Sequence, residues 1–305
     1  MGKVLLNEHY FKLKVRVSEK CCSRVAPGHF AHIQCTDEVI NRKNREFSEY
    51  NELKNYARSN LDKLKESHIL LRRPFSIHDA YSEEINGKKL CTLEFLIRRR
   101  GAGTDKLSKL KKGDKLDILA PIGNPFNYKK SIKGERHVLI VAGGIGIAPF
   151  KLLCKRLING YRPPAILFGF EEDFSLNEGN SMKSDLTKLS SDLEIASNTL
   201  TKDGNDEYHK GFVTQLLEEK LKKMTRDELD NIDVYSCGPH LMLKEVQRIV
   251  EKYKVNCEIS MEEKMACGIG ACAVCVCKIK AKTGFDYKRV CVDGPVFNSK
   301  EIIFD

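Results

Sequence analysis

The sequence predicts a three-part chain: an antiparallel β-barrel, then a doubly wound parallel α/β sheet, then a small cysteine-loop domain. Three observations carry this reading. Short runs that alternate apolar and polar residues fill the first part, and continuous apolar strands alternate with helical patterns through the middle. Five of the twelve cysteines crowd into the stretch from Glu258 to Asp305. With 305 residues the chain is long enough for two or three domains with their own cores. The expected boundaries are 1–132, 133–257 and 258–305.

Composition narrows the class. A hydrophobic content of 41% excludes full disorder. The longest apolar stretch, Val138 to Phe150, is broken by Gly143, Gly144 and Gly146 and falls short of the ~20 residues a spanning helix needs. A membrane-spanning chain is not expected. Lys+Arg 52 against Asp+Glu 42 leave a net charge of +10. The lysines are scattered without an aromatic-interleaved stripe, so they read as solvated surface or as a match to an acidic patch on a protein partner. Nucleic acid is not an expected partner. No secretory h-region follows Met1, and Leu6 stands where a myristoylation signal wants Ser or Thr. The expected location is the cytoplasm, where cysteines should be free thiols or metal ligands and not a disulfide framework.

In the first part, Tyr10-Phe-Lys-Leu-Lys-Val-Arg-Val-Ser and Leu90-Cys-Thr-Leu-Glu-Phe-Leu-Ile-Arg alternate as half-buried strands do, and Asp114-Lys-Leu-Asp-Ile-Leu-Ala follows a Lys-Gly-Asp turn. Several such strands with turn signals predict the barrel. Asp37 to Glu66 departs from the pattern. It is polar, lacks Gly and Pro, and repeats apolar residues at a loose helical rhythm (Ile40, Phe47, Tyr50, Leu53, Tyr56, Leu61, Leu64), which predicts a helical insertion at about 37–66. Arg72-Arg73-Pro74-Phe75-Ser76-Ile77 places cations beside a hydroxyl on a proline-stiffened backbone. It reads either as a phosphate clamp or as a basic turn. Gly101-Ala-Gly103-Thr104 reads either as a pyrophosphate-holding glycine loop or as a hairpin turn.

In the middle, Val138-Leu-Ile-Val-Ala runs into Gly143-Gly144-Ile145-Gly146-Ile147-Ala148-Pro149 and a helix to Ile158. Strand, glycine turn and helix together aim helical N–H groups at a phosphate, although a tight turn in any parallel sheet looks similar. Ala165 to Phe170, Leu193 to Ser197 and Asp233 to Ser236 are further strands, with helices from Gly211 and from Leu241 to Tyr253. Strands alternating with helices predict the parallel sheet. Cys237-Gly238-Pro239 ends one strand, and such carboxyl ends face the ligand crevice of these sheets.

The tail carries the most specific pattern. Cys267, Cys272, Cys275 and the distant Cys291 follow the C-x4-C-x2-C…C spacing of plant-type [2Fe–2S] ligation. Gly268, Gly270, Ala271 and Ala273 leave room for a cluster and let backbone N–H groups approach its sulfides. A structural zinc site is the competing reading, but zinc motifs come as two tight pairs and here only one pair is tight. Cys277 reads as a buried free thiol.

In this order, the motifs resemble the ferredoxin–NADP reductase superfamily and, closely, the electron transfer subunits of class B dihydroorotate dehydrogenases. The resemblance runs through Pro27 to Ile33, Leu71 to Ile77, Gly103-Thr104 with Leu107-Ser108, Ala142 to Pro149, Lys210 to Thr214 and Cys237 to Pro239. It is densest from Glu262 to Cys277 and from Arg289 to Phe297. It implies an FAD held by Arg73, Pro74, Phe75 and Ser76 at the ring and first phosphate, by Leu96, Ile97 and Arg98 along the flavin, and by Gly103 and Thr104 at the pyrophosphate. It implies NAD framed by Gly143, Gly144, Gly146 and Pro149 with Cys237, Gly238 and Pro239, and one cluster on Cys267, Cys272, Cys275 and Cys291. No residue is assigned as an acid–base catalyst.

The implied partner is an FMN-containing catalytic subunit in a two-plus-two heterotetramer, and the implied role is relay of electrons from dihydroorotate to NAD in de novo pyrimidine (UMP) synthesis. A flavin and iron–sulfur reductase feeding ferredoxin or an oxygenase shares every motif. The small subunit of an NADH-dependent ferredoxin–NADP oxidoreductase usually carries an aspartate ligand, where this chain has four cysteines. The 37–66 insertion departs from the family pattern.

Overall fold

A computed structural model of the chain describes residues 2–35, 71–160, 162–170, 182–197 and 209–304. The expected insertion at 37–66 lies outside the described residues.

The first part is built from two antiparallel sheets. One has the order β1-β2-β6-β5, with β1 at Gly2–Leu5, β2 at Tyr10–Ser18, β5 at Asp79–Ile85 and β6 at Lys88–Arg98. The other has the order β4-β3-β7, with β3 at Phe30–Ile33, β4 at Arg73–Ser76 and β7 at Ile118–Ile122. The alternation read from β2 and β6 points one set of side chains inward. Phe11, Leu13 and Val15 meet Leu93, Phe95 and Ile97 across the long β2–β6 ladder, and Ala31 and Ile33 close the same core from the second sheet. Helix α1, Ala102–Lys109, follows β6 and buries Leu107 there.

The middle forms a seven-stranded sheet of order β11-β10-β9-β8-β12-β13-β16. Its strands are β8 (His137–Gly143), β9 (Ala165–Phe170), β10 (Asp192–Ser197), β11 (His209–Lys210), β12 (Ile232–Cys237), β13 (Asn256–Ser260) and β16 (Val296–Asn298). All pairings are parallel except β13 with β16. The continuous apolar strands are buried on both faces, as a parallel sheet requires. Val138, Ile140 and Ala142 face helix α3 (Phe150–Gly160), which supplies Phe150 and Leu153. Leu139 and Val141 face helices α5 (Val213–Lys223) and α7 (His240–Tyr253). Three shorter helices complete the set: α2 (Lys129–Ile132), α4 (Met182–Leu189) and α6 (Arg226–Asp230).

The sheet continues past residue 257. β13 runs across that position, and β16 returns from the tail as an antiparallel edge. Beyond it, the hairpin of β14 (Val276–Lys280) and β15 (Phe285–Arg289) follows the cysteine loop. Cys275, Cys277, Val290 and Cys291 bury into the same core as Leu243 and Val246 of α7. The tail is therefore packed on the parallel sheet and does not hang from it.

One expectation fails. Cys22 and Cys91 form a disulfide between the 3-10 turn Glu19–Arg24 and β6, although every thiol was expected to be free or a metal ligand. Their pairing spans 69 residues of sequence, so it depends on the barrel's closure and left no local signal. The other ten cysteines are free. No helix among the described residues is long and apolar enough to cross a membrane.

Candidate functional site

β4 is an edge strand, paired only with β3, which suits Pro74 because proline cannot donate to a second ladder. Its four residues, Arg73, Pro74, Phe75 and Ser76, are all half-buried. The Arg73 guanidinium donates to the Leu71 carbonyl at 3.0 Å. Gly103 lies beside it: a Cβ there would sit 3.8 Å from Arg73 Cγ and 3.4 Å from Cys35 Cβ. Gly103 and Thr104 were expected in a glycine loop or hairpin turn, but they form the first turn of α1. Thr104 explains this. Its Oγ1 accepts from the N–H groups of Arg100 (2.9 Å) and Gly101 (3.2 Å) and so closes the helix start. A helix N-terminus beside an arginine is the kind of place where an anion can bind.

Leu96 and Ile97 are buried in opposite cores, so their side chains do not line a crevice. The pairing of β6 with β5 ends at Glu94, so Leu96, Ile97 and Arg98 lie beyond the β5 ladder while still paired with β2. The Arg98 guanidinium stands 5.9 Å from the centre of the Tyr10 ring.

The two nucleotide loops meet at the carboxyl ends of β8 and β12, adjacent strands in register from Ile232–His137 to Cys237–Ala142. Gly144 opens a 3-10 turn with φ +53°, and Pro149 precedes α3. The loops touch backbone to backbone. A Cβ on Gly146 would lie 2.6 Å from the Cys237 carbonyl carbon and 2.7 Å from Gly238 Cα, and one on Gly143 would lie 2.8 Å from Pro239 Cδ. Glycine is thus required here by close approach. The His78 ring binds the Ala148 carbonyl at 2.8 Å and ties this turn to the barrel.

The cluster loop winds through left-handed residues at Gly268 (φ +70°), Gly270 (φ +81°) and Ala273 (φ +51°). This turns N–H groups toward Cys267. Ile269 N–H donates to its Sγ at 3.5 Å, and with those of Cys272 and Ala271 it pulls the Cys267 thiol down to about 6. The four thiols lie close enough to act on one another: Cys272 on Cys267, and both Cys275 and Cys267 on Cys291. Burial and the neighbouring Cys275 push the Cys291 thiol up to about 11. No three His, Cys, Asp or Glu side chains among the described residues converge on a single ion. Arg289 braces the loop. It donates to the Gly270 carbonyl at 3.1 Å and pairs with Asp293 at 3.0 Å, while Val290 N–H donates to the Cys275 carbonyl at 2.7 Å. Cys277 is buried on β14, where burial pushes its thiol to about 11.

Residues 262–303 match the family model described as the iron–sulfur cluster binding domain of dihydroorotate dehydrogenase B, and residues 140–248 match the oxidoreductase NAD-binding domain. Curated relatives agree. The chain is 41% identical over 234 residues to the dihydroorotate dehydrogenase B (NAD+) electron transfer subunit of Caldanaerobacter subterraneus subsp. tengcongensis, covering 77% of this chain and 81% of that one. The Clostridium perfringens subunit of the same name is 37% identical over 79% of this chain and 85% of its own. The chain belongs to this family. Among solved structures, one of an NADH-dependent reduced ferredoxin–NADP oxidoreductase superposes with a TM-score of 0.69 at 21% identity, covering 99% of this chain and 88% of that one. The ferredoxin reductase of carbazole 1,9a-dioxygenase gives 0.55 at 16%, covering 83% and 64%. These two share the fold.

Two residues inside the family's motifs were given no role of their own by the sequence. Glu262 Oε1 lies 3.9 Å from the Sγ of Cys237, whose thiol burial and that carboxylate push up. His32 lies beneath the cluster loop, and its Nδ1 is 2.5 Å from where a Gly268 Cβ would be. Glu262 heads the dense cysteine segment, whose spacing points to its thiols and not to this carboxylate. His32 sits in an apolar strand, where only a tertiary contact gives it meaning.

Proposed function

We propose that the chain relays electrons between NAD and an FMN-containing catalytic subunit that oxidises dihydroorotate to orotate, working in the cytoplasm within a two-plus-two heterotetramer. The observation that carries this is the gathering of four thiols, at C-x4-C-x2-C…C spacing, within the segment that matches the iron–sulfur domain. That spacing suits two irons bridged by sulfide, whereas structural zinc motifs come as two tight pairs. Cys267, Cys272, Cys275 and Cys291 hold the [2Fe–2S] cluster. The inward N–H groups and the depressed Cys267 thiol favour the thiolate form that a metal needs.

Arg73, Pro74, Phe75 and Ser76 seat the FAD ring and its first phosphate, and Leu96, Ile97 and Arg98, past the end of the β5 ladder, run along the flavin. Gly103 and Thr104, at the α1 N-terminus beside Arg73, receive the pyrophosphate. Gly143, Gly144, Gly146 and Pro149 with Cys237, Gly238 and Pro239 frame the nicotinamide nucleotide where two parallel strands end together. Functionally, residues 1–132 form the FAD unit, 133–257 the NAD unit and 258–305 the cluster unit. When bound, FAD exchanges two electrons as hydride with nicotinamide and passes electrons singly to the cluster. The protein binds, orients and excludes water, and proton abstraction from dihydroorotate falls to the partner.

Anaerobic purification followed by assay of flavin, iron, acid-labile sulfide and zinc tests the reading. About one FAD, two irons and two sulfides per chain are expected for a cysteine-ligated [2Fe–2S] protein of this kind. Zinc without flavin or sulfide would overturn it.

A further inference from the structure

His32 is the third residue of β3, opposite Pro74 of β4 and Leu119 of β7, and it is 0% exposed. Neither ring nitrogen has a hydrogen-bond partner. A buried polar group left unpaired costs about 1–3 kcal/mol, and native cores keep few of them. The ring is not turned into the barrel's apolar core. A Cβ on Gly268 would lie 2.5 Å from its Nδ1 and 3.0 Å from its Cγ, so the imidazole occupies the space a side chain at 268 would take. Glycine at 268 is what lets barrel and cluster loop approach this closely. The carbonyls of Arg72 and Cys267, one from each segment, flank the ring without reaching hydrogen-bond geometry. His32 thus stands between the entry to the flavin strand and the first cluster cysteine. A neutral imidazole carries one N–H donor, and here that donor is unspent.

We propose that His32 is a positioning residue for electron transfer: it seats the cluster loop against β4 and donates its ring N–H to the sulfur shell of the bound cluster. This rests on the cofactor reading above. Three features support it: the orphaned nitrogens, the missing side chain at Gly268, and the register that sets His32 against Pro74 within the flavin strand. Hydrogen bonds to cluster sulfurs stabilise the reduced, more negative state and so raise the cluster's potential.

The test uses the full chain with its cofactors, labelled with 15N-histidine. In the wild type, the reduced cluster shows a weak 15N coupling from a non-ligating imidazole, and the coupling disappears in His32→Asn. In His32→Phe the cluster is harder to reduce, and the electron-sharing equilibrium between flavin and cluster moves about tenfold toward the flavin, 59 mV for a one-electron couple. His32→Asn, which keeps a side-chain N–H donor, recovers most of that shift. A wild-type cluster with no 15N coupling overturns the proposal, and so does His32→Phe with full cofactor content and an unchanged potential. If His32→Phe fails to fold, the wild-type coupling and its loss in His32→Asn still decide. Iron and sulfide are counted on the same samples. A wild-type chain without a cluster refutes the cofactor reading and this proposal together, whereas a full cluster lacking the coupling refutes this proposal alone.

Discussion

Glu94 on β6 is 3% exposed, yet it is held as a carboxylate. Burial alone would raise its pKa, but Lys151 Nζ stands 2.5 Å from its Oε1 and holds it at about 2. Lys155 takes Asp79 at 2.5 Å in the same way, so two lysines of α3 are pinned to the barrel. His78, 5% exposed beside them, is kept neutral, its pKa lowered to about 4 by burial and by the Lys151 charge. The two groups act on stability in successive pH windows. Between 6.5 and about 4 the unfolded chain protonates His78 while the folded one does not, so stability falls as pH drops through that range. Between 4.5 and about 2 the unfolded chain protonates Glu94 first, and stability falls again. Each window is worth about 3 kcal/mol, or roughly 5 °C in the unfolding midpoint. His78→Asn keeps a donor for the Ala148 carbonyl and is expected to remove the upper window, seen as a flatter midpoint between pH 6.5 and 4. An unchanged slope would mean that other groups carry the acid sensitivity. Lys151→Met strips buried Glu94 of its nearest cation and leaves only the longer Lys14 contact at 3.5 Å, which should cost about 3 kcal/mol at neutral pH.

At the scale of elements, the nucleotide crevice depends on two loops that approach through backbone alone. Gly146→Ala would drive a methyl into the Cys237 carbonyl and toward Gly238 Cα, atoms that cannot swing aside. Overpacking of this kind costs about 1–3 kcal/mol, and because 1.4 kcal/mol is tenfold, KM for NADH should rise roughly tenfold or more. Flavin and iron content should stay at wild-type levels, and steady-state kinetics with cofactor assay would check both. This turn was legible from sequence because its strand, glycines and helix are contiguous. So was the iron–sulfur segment, because three of its four spaced cysteines lie close together in the chain. The start of α1 was not, since Gly101-Ala-Gly103-Thr104 resembles a loop until the Thr104 hydroxyl is seen capping Arg100 and Gly101. Nor was the Cys22–Cys91 bridge, nor His32 against Gly268, because each joins residues far apart in the chain. Apolar periodicity records which face is buried but not what buries it.

At the scale of the whole molecule, the three units are interlocked. β16 from the tail completes the parallel sheet, and Asn124 Nδ2 of the barrel donates to the carbonyls of Val292 (3.2 Å) and Asp293 (2.9 Å) beside Cys291. His78 and Lys151 tie the barrel to the turn at the head of α3. β4, the carboxyl ends of β8 and β12, and the cysteine loop are therefore held together by the fold itself, which is what the proposed chain of redox stations needs when electrons must pass in one order. That order has a testable consequence. Cys272 is the exposed one of the four spaced cysteines, and replacing it leaves the barrel's core and the crevice untouched. Cys272→Ser should lose the cluster and, with the catalytic partner subunit present, essentially all dihydroorotate-linked formation of NADH. FAD should remain bound, and most NADH oxidation by an artificial dye should persist, because that path ends at the flavin. Cys277→Ala, on the buried face of β14 and outside the four-cysteine spacing, should keep iron, sulfide and both activities. If Cys272→Ser carried dihydroorotate-linked turnover at the wild-type rate, electrons would be reaching the flavin without the cluster, and the placement of the loop between partner and flavin would be wrong.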